Sequence, residues 1–526
     1  LALAKYLLAI IMVSDSMGAL SDMLNRHQNT RVTSLEIVFF CVLAVLLSLT
    51  LYSSPIAKLL PTHDQSMFVY FGNAIDAGKI PYVDMFDHKG PILWLINALG
   101  WLRLGPVRVL WLIEIAVITI SCIYMFKLSL YFANRATSLV ATLVGLLMLM
   151  RFSIGGNISE EYALPCIAMT LYLMLSYLTG EEARVWPFVI FGLTGTAVFF
   201  IRPNMVGLWV VSVITVIVVE VGKHRWSRLL RLAMATLIGA LIIIVPLLLY
   251  GLLTHSLAEM IYGTITFNLR YVAAENKVSI LKMLIFVAGT FFMYGAIIPQ
   301  IYLIVKAVRH PRQRLIWWFL VAVGIVNAMT VIVSRRMYSH YLITQIPIAV
   351  IGLVVLIRDA NAWLSTKRHW QQNMLTALMI WLVIGGLGPV LGIGEFAHKS
   401  IQLSRTRPIS NQERLIAAYI RKHTSSKDTI YAWRYDANIY NLSGRFANNP
   451  YFTLPSIDLA NYPTIEHRLV MAFTSDQPAY FIAKRSLFVK PAQSDAEKQI
   501  RKIIQSDYQA INIRGTDGTF KVFQLK

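Results

Sequence analysis

The sequence predicts a membrane all-α protein of about eleven transmembrane helices with interfacial helices on its outer face, followed by a soluble α/β domain. Three observations lead to this. Hydrophobic residues make up 56% of the 526 and charged residues only 14%, far from soluble usage, and the mean hydropathy is +0.59. Lys and Arg recur in every second loop between apolar runs. The apolar runs then stop, and from Glu395 the composition turns polar.

The net charge of +21 would suggest nucleic acid in a soluble domain. Here much of it falls in short loops between spans, where the positive-inside bias puts it, so no nucleic-acid partner is expected. Cys41, Cys122 and Cys166 all lie inside apolar runs and read as small hydrophobes; neither a disulfide framework nor a metal spacing follows.

Residues 1–34 form a cytoplasmic or unassigned N-terminal segment. Leu stands first, and 1–13 are apolar but too short to span, which fits a fragment, a signal-like stretch or an interfacial segment. The first span covers 35–52, and Arg26, His27 and Arg31 place its start in the cytoplasm. Spans follow at 107–130, 138–150, 162–178, 187–201, 205–221, 233–253, 281–305, 315–333, 341–357 and 374–393. The 138–150 run is short, and snorkelling by Arg151 would extend it.

Charge tests that topology. Lys127 with Arg135, the runs 223–228 and 306–314, and Arg358 with Lys367 and Arg368 fall on the side of the N-terminus. An odd count then puts the loop 61–105, the turn 155–161, the turn at Arg202, the loops 254–278 and 334–340, and the tail 395–526 on the outer face of the membrane. In the tail, 411–422 reads as an amphipathic helix, 429–433 and 480–483 as strands and 495–505 as a helix. A hairpin pairs 509–514 with 519–524 around Gly515, Thr516, Asp517 and Gly518.

The loop 61–105 holds His63, Asp64 and Gln65, then Tyr82, Asp84, Asp87, His88 and Lys89 ahead of Gly90 and Pro91. Charges held beside hydrocarbon are costly, so this cluster is a candidate active site. Thr62 and Gln65 fit a capping box, followed by Met67, Phe68, Phe71 and Ile75 at helical spacing. Asp64 then lies in a first turn, serving only the helix dipole or acting as a base that the dipole keeps ionised. Gly78, Pro81 and the Gly90–Pro91 pair break the helix, and 92–104 reads as a second helix, too short to cross. Two interfacial helices would thus flank a pocket opening toward lipid. Lys89 suits a phosphate as a point charge, while Asp87 and His88 could hold a divalent metal or simply pair with Lys89.

Glu160 and Glu161 open a span, where a dipole role and a substrate contact are both available. Arg202, Arg335 and Arg336 run against the positive-inside trend and call for anionic partners, either lipid headgroups or a donor phosphate. Tyr338 and His340 lie beside the last two.

In order, His63-Asp64-Gln65, Tyr82-x-Asp84-x-Phe86-Asp87-His88-Lys89-Gly90-Pro91, Asn157-x-Ser159-Glu160-Glu161-Tyr162, Arg202-Pro203-Asn204, Arg336-x-Tyr338-x-His340-Tyr341 and the tail run 439–445 resemble the GT-C superfamily of polytopic glycosyltransferases. The likeness is to bacterial family-39-like members, related to protein O-mannosyltransferases and lipid A aminoarabinose transferases. It covers the chain from residue 35 and rests on the order of the motifs. It implies inverting transfer of a sugar from a polyprenyl-phosphate donor to an acceptor hydroxyl outside the membrane. By that match Asp64 is the catalytic base, Lys89 lies near the donor phosphate and Asp87 is the acid before it. The charge argument adds Arg202, Arg335 and Arg336 to the phosphate. Tyr82, Asp84, Asp87, His88, Glu160, Glu161, Tyr338 and His340 are the candidate substrate contacts. No cofactor is required. The implied partners are membrane lipid, a polyprenyl-phosphate-sugar donor, and an envelope glycan, lipid or protein acceptor. Many relatives have Pro-Pro after the basic residue and Asp-Glu at the first motif, where this chain has Gly90-Pro91 and Asp64-Gln65.

Two other classes fit a polytopic chain. A transporter or flippase of lipid-linked sugars would keep its polar residues near the midplane on broken helices. An O-antigen polymerase or ligase would concentrate its chemistry in later loops. The domains expected are thus 35–394, a transmembrane catalytic domain, and 395–526, an extracytoplasmic α/β domain.

Overall fold

A computed structural model describes residues 31–56, 61–99, 106–152, 155–180, 184–274, 278–310, 313–365, 393–394, 397–398, 411–433, 437–453, 457–492 and 494–526. The N-terminal stretch 1–30, most of the expected span 374–393 and the boundary at Glu395 lie outside the described residues.

The chain enters at α1 (Ser34–Ser48) through a complete capping box: Thr33 caps the Glu36 amide, and the Glu36 carboxylate takes the Thr33 amide at 2.7 Å. Two short helices follow, α2 (His63–Asp76) and α3 (Pro91–Leu99), then α4 (Pro106–Leu130), α5 (Arg135–Phe152), α6 (Ser159–Leu178), α7 (Pro187–Ile201), α8 (Gly207–Gly222) and α9 (Trp226–Leu253). A segment of α10 (Leu257–Ile261), a π turn (Tyr262–Thr266) and α11 (Phe267–Ala274) leads to α12 (Ile280–Met293), α13 (Ile297–Arg309) and α14 (Arg314–Ser334). A 3-10 turn (Ser339–Gln345) then opens into α15 (Ile346–Ser365).

Among the described residues six helices are long and apolar enough to cross a membrane, or seven if the bent pair α12 and α13 is one span. That pair corrects the expected span 281–305: the chain breaks at 294–296, where Gly295 takes φ 74, and the halves diverge by 100°. Hydropathy averages over such a turn without registering it. The helices α1, α7 and α8 have 15, 15 and 16 residues. At about 1.5 Å per residue they fall short of the ~30 Å hydrocarbon thickness. The expected count of about eleven is therefore matched by length at six or seven positions. The 138–150 run, by contrast, extends through Arg151 into an 18-residue helix.

The helix formed by Ser339–Trp363 is the most enclosed, with 83% of its apolar window buried, whereas α9 buries only 22%. Leu237, Ile238, Leu241 and Ile242 of α9 face outward, as an apolar helix surface in lipid does. α9 lies backbone to backbone on α7. A Cβ at Gly192 would fall 1.9 Å from the Thr236 carbonyl oxygen, and one at Gly239 1.9 Å from that of Val189, so only glycine permits this contact.

The tail is an α/β unit. Its helices include α16 (Asn411–His423), α17 (Asn438–Ser443), α18 (Pro463–Ser475) and α20 (Asp495–Asp507), with the short α19 (Ser486–Val489) between the last two. Strands β1 (Ile430–Ala432), β2 (Tyr480–Lys484), β3 (Tyr508–Ile511) and β4 (Phe520–Leu525) form a sheet in the order β1-β2-β4-β3, with only β1 and β2 parallel. The expected hairpin is the β3–β4 pair, one residue off at each start; α17 and α18 were not legible.

The sheet unit docks on α2. Tyr70 stacks on Phe452 at 3.9 Å, and its hydroxyl accepts from the Ala447 amide at 3.1 Å. Asn441 bridges the Asn73 side chain at 2.9 Å and the Ser66 carbonyl at 2.8 Å, while Asn438 donates to the Pro61 carbonyl at 2.9 Å. On its other side α2 stacks Phe71 on Trp94 of α3 at 3.8 Å. Rather than two separated surface helices, α2 and α3 are packed on each other, and α2 is clamped from above by the tail.

Candidate functional site

Asp64 stands in the first turn of α2, where the helix N-terminus favours an ionised carboxylate. The cap is only partly the expected one: the Thr62 hydroxyl meets the Gln65 side chain instead of a backbone amide. The Lys89 ammonium lies 3.1 Å from Asp87 Oδ2 and 3.8 Å from Asp64 Oδ2. Lys89 and Asp87 are buried at 5% and 4% side-chain exposure, whereas Asp64 is 31% exposed. Asp87 Oδ1 lies 3.0 Å from His88 Nδ1, and the His88 ring stacks on Tyr271 at 5.1 Å.

The glycine after Lys89 decides how this loop meets the bundle. The Gly90 amide donates to the Ile201 carbonyl at 3.0 Å, and a Cβ there would fall 2.0 Å from the Phe200 oxygen. Gly90 thus brings Lys89 beside Arg202, the C-cap of α7. This gives the departure from Pro-Pro a physical reason, because the loop runs in van der Waals contact with α7. From the other side Tyr82 donates to the Lys89 carbonyl at 2.7 Å and accepts from Trp94 at 3.1 Å.

Arg202 pairs with Glu160 and donates to the Tyr341 hydroxyl. Its guanidinium also lies 4.1 Å over the Tyr341 ring. Asp64, Asp87, His88, Lys89 and Arg202, with Tyr338 just before the 3-10 turn and His340 and Tyr341 within it, line one cavity of about 370 Å³. Tyr271 and Met337 line it as well.

Burial would raise the Asp64 carboxyl, but the Lys89 charge, aided by His63 and His340, outweighs it and holds Asp64 below the ordinary carboxylate range. Asp87 is likewise held down, its burial opposed by Lys89 and His88. Burial would lower Lys89, yet Asp64 and Asp87 together push it above its ordinary value. For His88 burial prevails over Asp87, so its ring is neutral at neutral pH.

The remaining candidates stand further off. Tyr82 and Glu160 do not line the cavity; they hold the Lys89 backbone and the Arg202 side chain. Arg336 lies 4.7 Å over the Tyr271 ring and so reaches the site through it. Arg335 is the left-handed C-cap of α14, at φ 50, and Asp84 accepts from the Ile80 amide at 2.7 Å; neither lines the cavity. Glu161 faces Glu114, whose carboxylate accepts from Ser53 and the Asn157 amide behind the site. Tyr341 entered the sequence reading only as the last residue of a motif and Tyr271 not at all; a signal for Tyr271 is its i, i+4 spacing from Phe267, which puts two rings on one face of α11.

Asp87 and His88 do not fit a divalent cation. Both Asp87 oxygens already face protein cations or donors, one of them an ammonium at 3.1 Å. Among the described residues no three His, Cys, Asp or Glu side chains gather as a ligand set.

Residues 25–393 match the family model described as Putative competence-induced protein Ccs4 N-terminal domain, and 410–526 match the Ccs4 C-terminal domain. No curated protein matches the chain in sequence. Among solved structures, ArnT from Cupriavidus metallidurans bound to undecaprenyl phosphate superposes with TM-score 0.59 at 14% identity, over 94% of this chain and 98% of that one. The apo form of ArnT gives 0.61 at 13%, over 93% and 97%. The Archaeoglobus fulgidus oligosaccharyltransferase tethered to an acceptor peptide gives 0.53 at 12%, over 94% and 74%. At such identities the likeness carries the fold alone, and that fold is GT-C, a multi-pass membrane architecture.

Proposed function

We propose that this chain, which belongs to the competence-induced Ccs4 family, is an integral-membrane glycosyltransferase that moves a sugar from a polyprenyl-phosphate donor to an extracytoplasmic acceptor hydroxyl with inversion. The donor class follows the undecaprenyl phosphate carried by ArnT. The acceptor is an envelope glycan, lipid or protein. About eleven crossings, counting the shorter helices, put the site and the tail 395–526 on the outer face of a bacterial cytoplasmic membrane, with 35–394 as the catalytic domain. Supporting that orientation, Arg225 and Arg228 on Glu220, Lys306 on Asp359 and Arg358 on the Phe132 carbonyl all belong to the opposite end of the bundle.

The observation that carries the chemistry is the unequal sharing of Lys89. It hydrogen-bonds Asp87 at 3.1 Å while Asp64 stands 3.8 Å away, ionised and partly exposed in the cavity. A carboxylate so placed is free to act as a base. The acceptor oxygen attacks the anomeric carbon on the face opposite the phosphate, and its proton passes to Asp64. The bond from that carbon to the phosphate oxygen breaks, and its electron pair leaves with the polyprenyl phosphate. Lys89 and Arg202 meet the charge that develops there, with Arg336 at the rim through Tyr271. One displacement inverts the anomeric centre. His88, Tyr338 and His340, which line the same cavity, are the sugar contacts in this reading.

The test is transfer by purified protein in nanodiscs, given labelled polyprenyl-phosphate sugars and envelope extract. Label should move from lipid to an acceptor fraction with the opposite anomeric configuration. Retained configuration would refute direct displacement, and donor binding without transfer would refute the enzyme reading.

A further inference from the structure

Behind the 82–89 loop lies a second cavity, of about 290 Å³, which the proposed transfer does not use. Three parts of the chain converge on it. Tyr82 and Phe86 come from the first loop, Tyr262 and Arg270 from the segment after α9, and Tyr451 and Arg468 from the tail. Tyr82, Phe86 and Tyr451 are at most 4% exposed and make a fixed aromatic floor. Arg270 and Arg468 are exposed and line the same cavity as that floor, with the Arg468 charge beside Tyr451. Among the described residues the one carboxylate on the lining is Glu259.

A wall of rings separates this cavity from the first. Phe86 meets Phe267 at 5.1 Å and Tyr451 at 5.4 Å, and Phe267 faces the His88 ring at 6.1 Å. A group held here is therefore remote from Asp64. It is coupled to the site all the same, since Phe86 adjoins Asp87 and the Tyr82 hydroxyl bonds the Lys89 carbonyl. Binding energy from a remote part of a substrate is what a transferase can use to orient its reacting hydroxyl.

We infer that this cavity binds an anionic saccharide unit of the acceptor, with its ring on the aromatic floor and its carboxylate or phosphate between Arg270 and Arg468. Aromatic faces edged with hydroxyls suit a pyranose, which is apolar on its ring faces and polar at its rim. Among the described lining residues two planar guanidinium groups stand against one carboxylate, which suits an anion with paired oxygens. This deepens the glycosyltransferase reading and rests on it only for what the saccharide belongs to.

The test measures binding, not transfer, on the full chain in nanodiscs of zwitterionic lipid. The probes are a glucuronic-acid disaccharide and glucose 1-phosphate, with cellobiose as the neutral control and undecaprenyl phosphate for the other cavity. The acidic saccharides should bind about tenfold tighter than cellobiose, as paired charge-assisted hydrogen bonds imply. The double variant R270Q/R468Q should lose that preference and keep undecaprenyl phosphate binding, whereas Lys89→Met should do the reverse. Both arginines are exposed, so the fold should survive, and R270K/R468K should restore part of the preference through charge alone. Equal binding of acidic and neutral probes, an unaffected double variant, or competitive displacement by anionic phospholipid would each overturn the inference. Absent transfer with the preference intact would instead overturn the enzyme reading alone.

Discussion

Two buried lysine–aspartate clusters lie at opposite ends of the bundle. At one, Lys306 and Asp359 pair at 2.6 Å with 4% and 8% side-chain exposure. Asp359 also accepts from Tyr302 at 2.7 Å and Arg358 at 2.8 Å, so its oxygens are satisfied by three donors from α13 and α15. At the other end Lys89 is as deeply buried but shared between two carboxylates at unequal distances, beside an open cavity. Burial and pairing are common to both, so neither marks a site. What distinguishes the Lys89 cluster is an ionised carboxylate left partly unpartnered where a substrate can reach it. The first arrangement fastens two helices together; the second holds charge in readiness.

Asp64→Asn tests that difference most severely. It removes the base with little change of shape, and kcat should fall by about 10²- to 10⁴-fold while the melting temperature drops only modestly, by the loss of one partner of Lys89. Asp359→Asn should leave kcat close to wild type. If the two variants were equally active, the contrast would fail.

Lys89→Met should weaken donor binding about ten- to a hundredfold at fixed salt, measured with undecaprenyl phosphate in nanodiscs. It should also move the pH profile. Lys89 is the chief opponent of burial at Asp64, so the wild-type acid limb should lie below the ordinary 3.8 and the variant's limb above the wild type's. The stability linkage has the same sign. A carboxylate held low in the folded state contributes stability that is present above its unfolded pKa and lost as pH falls through the folded value.

Lys306→Met should leave donor affinity unchanged and cost about 3 kcal/mol of stability, the low end for a broken buried pair because Arg358 stays on Asp359. Thermal unfolding with and without donor checks both halves. The smallest effect is expected at the tail. Asn441→Ala removes the bridge between α17 and α2 and should cost about 1 kcal/mol, seen as a modest lowering of the melting temperature with the transfer rate slightly reduced.

Much of the cavity lining was legible before the structure. Asp64, Asp87, His88, Lys89, Arg202, Tyr338 and His340 were candidates from the sequence, and all seven line the same 370 Å³ space. They were legible because a charge or aromatic rim at the end of an apolar run is costly and therefore rare. Asp84 and Arg335 satisfied the same rule for local reasons, a turn acceptor and a left-handed helix cap, which charge alone cannot separate from ligand contacts. Tyr271 carried no charge and was missed, although it stacks on His88 and carries Arg336 on its face.

By itself, then, the sequence determined the membrane class, the alternation of basic loops, the polar clusters at span ends and the α/β character of the tail. These follow from transfer free energy and local periodicity, which act residue by residue along the chain. Only the tertiary structure decided that 281–305 is bent, that Gly90 runs against α7, that the tail clamps the helix carrying Asp64, and that Asp87 rather than Asp64 takes the hydrogen bond of Lys89. Those outcomes depend on contacts between residues as far apart as Ser66 and Asn441 and on differences of tenths of an ångström, where packing, and no property of a local window, selects the arrangement.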